Sequence, residues 1–220
     1  MIDTAWASAA ELASAISHGE ATAAAVIDQT LARIERRNRV LNAFTLVTHE
    51  RARARGATLP KGPLAGVPFA VWNLFNVAEL PTHAGSKINR EHPPATADAT
   101  LIQRLEAAGA ILVGALNVGE YAYDFTGENC HDGPSRNPHD PTRMTGGSSG
   151  GSGGAVAGGL VPIASGSDTN GSIRLVIVLR CLRAEADLQP VIPCRQLPVR
   201  FQPRSPWTIC AQHDGPGIRP

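Results

Sequence analysis

Residues 145–174 read TGGSSGGSGGAVAGGLVPIASGSDTNGSIR, and the reading of this stretch decides the fold. Glycine and serine fill both ends, and an apolar run of Ala, Val, Leu and Ile lies between them. Two loops are therefore joined by a packed segment. Ser148 lies in the first loop and Ser172 in the second. Glycine takes up positive φ without steric cost, so backbone N–H groups can turn inward around a small charged atom. A serine in such a loop has donors already aimed at whatever attaches to it. A flexible Gly/Ser linker would not carry AVAGGLVPIA at its centre. A phosphate loop does not fit either. The stretch holds no lysine, so G-x-x-x-x-G-K-[ST] is absent, and G-x-G-x-x-G does not follow a clear strand. Nucleophilic serine chemistry suits these residues better.

The chain around this stretch has 220 residues, enough for one domain with a real core or for two small ones. Its 20 Lys and Arg nearly balance 19 Asp and Glu, which argues against nucleic acid as the main partner. Few aromatics and many alanines and glycines suit tightly packed α/β layers. No apolar run reaches about 18 residues without glycine or charge, so no transmembrane helix is expected. Acids come early and no basic n-region precedes them, so no signal peptide is expected. Cys130, Cys181, Cys194 and Cys210 have no paired spacing for zinc or redox work. A reducing cytoplasm is the expected compartment.

Taken in order, the chain predicts alternating helices and strands. Ser8 and Glu11 can form a capping box for a short helix that His18 and Gly19 end. A longer helix is predicted from Thr22 to Arg37, with Val26, Ile27, Leu31 and Ile34 on one face. Arg33, Glu35, Arg36 and Arg37 read as its solvated face. Strands are predicted over Asn42 to Val47, Leu64 to Val71 and Ile111 to Val113. Polar and amphipathic helices are expected over Glu50 to Arg55 and Thr100 to Ala108. Helix-then-strand order points to an α/β layer fold. Glu120, Asp124, Glu128 and His131 lie near one another in sequence, but their spacing matches no firm metal-ligand pattern.

The 145–174 stretch closely resembles the signature of the amidase signature family, serine hydrolases that cleave C–N amide bonds. The segments AGSKINR at 84–90 and RNPHD at 136–140 look most like the branch of carboxybiuret and allophanate hydrolases, with amidotransferase A subunits as cousins. The resemblance implies an α/β amidase signature fold, a mixed central β-sheet flanked by helices, of which residues 1–174 form the N-terminal part. It implies Ser172 as nucleophile and Ser148 as bridging serine, on a cis peptide bond to Gly147. Backbone N–H groups of Thr169, Asn170, Gly171 and Ser172 would form the oxyanion hole, and Arg174 would support that loop. No cofactor and no metal are implied. The partner is a small amide substrate, with no nucleic acid or membrane bound directly. Intact relatives form homodimers or carry a small partner subunit. In the family, the region corresponding to 120–125 helps to shape the substrate pocket. The family's catalytic base is a lysine that ends a strand in a Val-Lys-Asn type sequence. Here the corresponding residues are Val71, Trp72 and Asn73. An indole N–H donates a hydrogen bond and cannot accept a proton. Little or no amidase activity is therefore expected. Two other readings remain open: an amidotransferase A subunit, and a non-catalytic binding protein or remnant.

After Arg174 the resemblance stops. The chain continues as LVIVLRCLRAEADLQPVIPCRQLPVRFQPRSPWTIC, rich in arginine and proline. Read one nucleotide forward, codons for Ile177 to Leu188 can encode SFCGVFGLKPTY, the family's own continuation. Residues 175–220 are thus expected to be a frameshifted or disordered tail. Family members are about twice this length, so truncation is expected to cripple the activity along with Trp72.

Overall fold

The computed structural model describes residues 2–58, 60–178 and 206–210. Helix α1, Ala9–Ser17, starts on the expected capping box: Glu11 N–H donates to Ser8 Oγ at 3.2 Å, and Ser8 N–H to Glu11 Oε2 at 2.7 Å. His18 caps its end, and Gly19 follows at φ +74°. Helix α2, Ala23–Leu41, begins with Thr22 Oγ1 accepting from Ala25 N–H. It runs past Arg37 by one further turn. Asn42 stops it by taking the left-handed conformation at φ 47°, so the next strand, β1, spans Phe44–Val47 and excludes Asn42.

Arg33 corrects the expected solvated face of α2. It is buried at 8% exposure. Its Nε donates to Gly159 O at 2.8 Å, and its terminal nitrogens donate to Thr4 and Thr30. Burial lowers its pKa to about 10, against a partly opposing pull from Asp3. Gly159 and Thr4 lie 126 and 29 residues away in sequence, so helical periodicity alone could not place it inside.

The remaining elements are α3 at His49–Ala57, β2 at Pro68–Trp72, α4 at Thr100–Ala107 and β3 at Ile111–Leu116. Two small hairpins follow, β4–β5 at Glu128–Asn129 and Gly133–Pro134, and β6–β7 at Arg136–Asn137 and Asp140–Met144. Helix α5 spans Gly150–Ala157, β8 Ile163–Ser167, α6 Arg174–Val178 and β9 Pro206–Cys210. The predicted strand at Leu64 starts later than expected. Val67 N–H closes a turn on Leu64 O, and Gly66 sits at φ +76°, so pairing begins at Pro68. Of the tail at 175–220, expected to be frameshifted or disordered, the structure describes 175–178 and 206–210; Cys181, Cys194 and the other residues of that stretch lie outside the described residues.

The main sheet has the order β1-β3-β2-β8-β9. Strands β2, β3 and β8 run parallel, while β1 and β9 pair antiparallel at the edges, so the sheet is mixed. Every residue of β2 and β3 is buried, as expected for central strands covered on both faces. Alternation sorts them into two cores. Ala70, Ile111 and Val113 join Ile27, Leu31 and Ile34 of α2, Ala52 of α3 and Val156 of α5. Phe69, Val71 and Leu112 join Leu12 and Ile16 of α1 and Leu101 and Ile102 of α4. Helices thus cover both faces of the sheet. Among the described residues no helix is long and apolar enough to cross a membrane.

Candidate active site

The site forms where the carboxyl ends of β2, β3 and β8 meet the N-terminus of α5. Helix α5 can come this close because its first turns are glycine. A Cβ on Gly151 would lie 2.4 Å from Asn117 O and 2.7 Å from Ala43 O, both backbone atoms. Asn117 just beyond β3 is itself buried, and its side-chain amide donates to Asn42 O and Gly133 O. The helix is therefore docked backbone to backbone on a braced strand end.

The loop before α5 carries Ser148. The peptide bond between Gly147 and Ser148 is cis. Gly147 N–H donates to Phe125 O at 2.9 Å, which fixes the loop to the 120–127 segment. Ser148 is fully buried, and its Oγ has no hydrogen-bond partner among the described residues. Ser149 Oγ and N–H turn toward the second loop, donating to Ser167 O at 3.4 Å and Ser172 O at 3.2 Å. The structure thus brings the loops of Ser148 and Ser172 together.

The second loop is organised by Asp168, a residue that sequence reasoning leaves unassigned. Its carboxylate accepts N–H groups from Gly171, Ile173 and Arg174 at 2.8, 3.2 and 3.1 Å. The Arg174 guanidinium adds contacts at 3.1 and 2.9 Å. Burial alone would raise the Asp168 pKa, but the bonds from Arg174, Gly171 and Ile173 outweigh it and hold it at about 2. A carboxylate three residues before a glycine in a Ser/Thr/Asn-rich turn is the signal that could have identified it. Arg174 takes the loop-supporting position expected of it. Of the four N–H groups expected to serve an oxyanion, that of Gly171 is already engaged by Asp168. Thr169 and Asn170 are exposed at the loop tip, and Ser172 is buried.

Trp72 ends β2 at 1% exposure. Its backbone N–H donates to Ser165 Oγ at 2.8 Å, and Ser165 O in turn accepts from Ser152 Oγ of α5 at 2.6 Å. The indole Nε1 is buried without a hydrogen-bond partner among the described residues. Trp72 and Ser148 are therefore both buried polar groups that make no bond to each other. The two lysines, Lys61 and Lys87, are exposed and make no bond to Ser148. The neighbouring Asn73 is held by Thr45 Oγ1 at 2.7 Å and Leu116 O at 3.2 Å.

Glu120, Asp124, Glu128 and His131 do not converge as a set. Asp124 turns toward the serine loop. Its Oδ2 accepts from Gly127 N–H at 3.1 Å, while its buried Oδ1 has no partner among the described residues. A Cβ on Gly147 would lie 2.4 Å from that Oδ1. Burial pushes the Asp124 carboxyl above its ordinary range. Glu128 is exposed, whereas Glu120 and His131 meet at 3.1 Å on the other side of the segment.

Comparison with known proteins agrees with this arrangement. The Amidase family profile matches residues 25–175. The chain is 55% identical over 175 residues to AtzE, a component of the 1-carboxybiuret hydrolase of Pseudomonas sp. strain ADP, covering 75% of this chain and 38% of that protein. It is 41% identical over 182 residues to the A subunit of the glutamyl-tRNA(Gln) amidotransferase of Streptomyces coelicolor, covering 79% of this chain and 36% of that protein. Among solved structures, a vestigial protein complex that bears on the origins of an s-triazine catabolic enzyme matches with a TM-score of 0.76 at 51% identity, over 78% of this chain and 39% of that one. The chain thus spans less than two fifths of the length of these relatives. The match over residues 25–175, the mixed sheet covered by helices on both faces and the two joined serine loops lead to one conclusion: the chain belongs to the amidase signature family.

Proposed function

We propose that this chain carries the serine half of a site for cleaving a C–N bond in a small linear amide or urea-type compound, of the carboxybiuret or allophanate kind, and that Trp72 disables it. The observation that carries this reading is the buried, unpartnered Ser148 Oγ on a loop bonded to the carbonyl of Ser172. In the reaction the fold is built for, Ser172 Oγ attacks the carbonyl carbon. Its proton passes to Ser148 Oγ, and the Ser148 proton passes to a neutral lysine at the end of β2. The C–N bond breaks, the amine or ammonia leaves with the relayed proton, and water then hydrolyses the acyl ester. N–H groups of Thr169, Asn170 and Ser172 stabilise the oxyanion, at about 3 kcal/mol for a well-placed donor, while that of Gly171 is held by Asp168. Trp72 supplies no lone pair for this relay, so the Ser148 proton has no acceptor. Identity of 55% to the carboxybiuret hydrolase component, against 41% to the amidotransferase component, favours the small-amide substrate class.

Two assays test this. Purified full-length chain is offered a panel of linear amides and urea-type compounds, and no hydrolysis that depends on Ser172 is expected. Turnover abolished by Ser172→Ala would refute the disabling role of Trp72. In the AtzE relative, tryptophan is placed at the position aligned with Trp72. Loss of a general base costs about 10²–10⁴-fold in rate. Retained activity in that variant would refute the assignment of this position to the base.

A further inference from the structure

Glu120, Cys130 and His131 bring a carboxylate oxygen, a thiol sulfur and an imidazole nitrogen within 4.8 Å of one another. Glu120 Oε1 lies 3.1 Å from His131 Nε2. Ser86 Oγ donates to the same oxygen at 2.7 Å. A zinc ion bound at about 2.0–2.3 Å to such atoms sets tetrahedral ligands roughly 3.3–3.8 Å apart. The observed spacing reaches this with side-chain shifts of about 1 Å.

The frame beneath these side chains is braced by one buried amide. Asn129 Nδ2 donates to Gly85 O at 2.7 Å and to Val118 O at 2.8 Å. Its Oδ1 accepts the N–H groups of His131 and Asp132 at 2.7 and 2.8 Å. Asn129 therefore joins the three segments that carry Ser86, Glu120 and the Cys130–His131 pair.

We propose that Glu120, Cys130 and His131 form a binding site for a zinc-class divalent cation, with the fourth position open to water. One thiolate, one imidazole and one carboxylate form a borderline-soft set, suited to Zn²⁺ and Co²⁺ over Mg²⁺ or Ca²⁺. Ser86 positions the carboxylate from outside the ligand set. Cys130 binds as the thiolate, and its thiol proton passes to solvent. The cation clips the 3-10 turn at Glu120–Ala122 to the β4–β5 hairpin. Between those two anchors lies the segment bearing Asp124, which packs on Gly147.

The test is a titration of the reduced, chelator-treated full chain with Co²⁺, followed in the near ultraviolet for thiolate-to-metal charge transfer and in the visible for tetrahedral d–d bands. Zn²⁺ should then displace the signal. Cys130→Ser should abolish the charge-transfer band, His131→Ala and Glu120→Gln should weaken binding at least tenfold, and Ser86→Ala should weaken it about tenfold. The chain also contains Cys181, Cys194 and Cys210. A band that survives Cys130→Ser would place the metal on those thiols and overturn the proposal. So would the absence of Co²⁺ and Zn²⁺ binding in the parent chain. Cys130 is exposed, so its serine variant keeps the fold, and far-UV circular dichroism checks this.

Discussion

Ser149 donates its backbone N–H to the carbonyl oxygen of Ser172 across 3.2 Å. Between the two positions in sequence lie α5 and β8. The helix leaves the first loop, packs against the sheet, and the strand returns the chain beside its starting point. The bond closes that circuit. Any disturbance of how α5 docks therefore moves Ser148 and Ser172 relative to each other.

The docking rests on which helical glycine faces backbone. A Cβ on Gly151 meets Asn117 O and N and Ala43 O at 2.4–2.7 Å, and none of these atoms can turn aside. On Gly154 the nearest atoms stand at 3.6 Å. Gly151→Ala should destabilise the fold by about 1–3 kcal/mol through overpacking. Gly154→Ala should be neutral or stabilising by about 0.5–1 kcal/mol, because alanine is the better helix former. Urea unfolding of the two variants beside the parent measures the contrast. Equal midpoints would show that α5 does not sit backbone to backbone on the end of β3.

Asp168 gives the second loop a pH dependence with a defined sign. Its folded pKa of about 2 lies below the ordinary carboxylate value. The stabilisation it provides is therefore complete above about pH 4. It is lost as pH falls through the folded value near 2. The Gly171 amide, which donates to Asp168 at 2.8 Å, should report this as a chemical-shift titration with a midpoint near 2. Hydrogen bonds to a charged group contribute about 1.5–3 kcal/mol, so Asp168→Asn should lower stability on that scale and flatten the titration. A Gly171 midpoint near the ordinary carboxylate value of about 4 would mean that the loop does not hold the carboxylate.

Arg33 is a second buried charge with a testable contribution. Its removal leaves Gly159 O and Thr4 O without their donor. Arg33→Ala should cost about 3 kcal/mol, and Arg33→Lys should recover little of it, because an ammonium cannot reproduce the fork that bridges both carbonyls and Thr30. Thermal unfolding of the pair decides it. Full recovery by lysine would show that charge alone, without geometry, holds the N-terminal segment.

These residues also show where sequence reasoning works and where it stops. The capping box of Ser8 and Glu11 is a contact between neighbours, so it is legible, as is the apolar face from Val26 to Ile34. The two serine loops are legible because glycine density marks close backbone approach. Asn42 is not, since its left-handed cap depends on where Asn38 and Phe44 place their bonds. Arg33 reads as solvent-facing because its partners come from Gly159 and Thr4, which only folding brings near. Asp168 escapes notice because a capping acid inside a Ser/Thr/Asn-rich turn reads as loop polarity. Cys130 lacks a second cysteine at metal-site spacing, yet its neighbours in space are a carboxylate and an imidazole.

The two ends of the Trp72 side chain are in opposite situations. Its ring belongs to the core beneath α1 and α4, where burying a large aromatic group is favourable. Its Nε1–H is buried without a partner among the described residues, and such a donor costs about 1–3 kcal/mol. Trp72→Phe removes the unpaired donor while leaving a smaller ring, so the two effects oppose and stability should change by less than about 1.5 kcal/mol. Trp72→Ala loses the ring as well and should cost about 3–5 kcal/mol. Trp72→Lys places an ammonium in the same apolar surroundings. Burial then disfavours the charged form, so the lysine should titrate below its ordinary value. This is the neutral amine that a relay through Ser148 requires. Stability of Trp72→Lys should therefore rise as pH climbs from about 7 toward the free lysine value near 10.4 and level off above it, since the unfolded state binds the extra proton in that window. Unfolding midpoints at a series of pH values measure this slope. A flat profile would show that the lysine side chain escapes to solvent, and that the position does not enforce the neutral base.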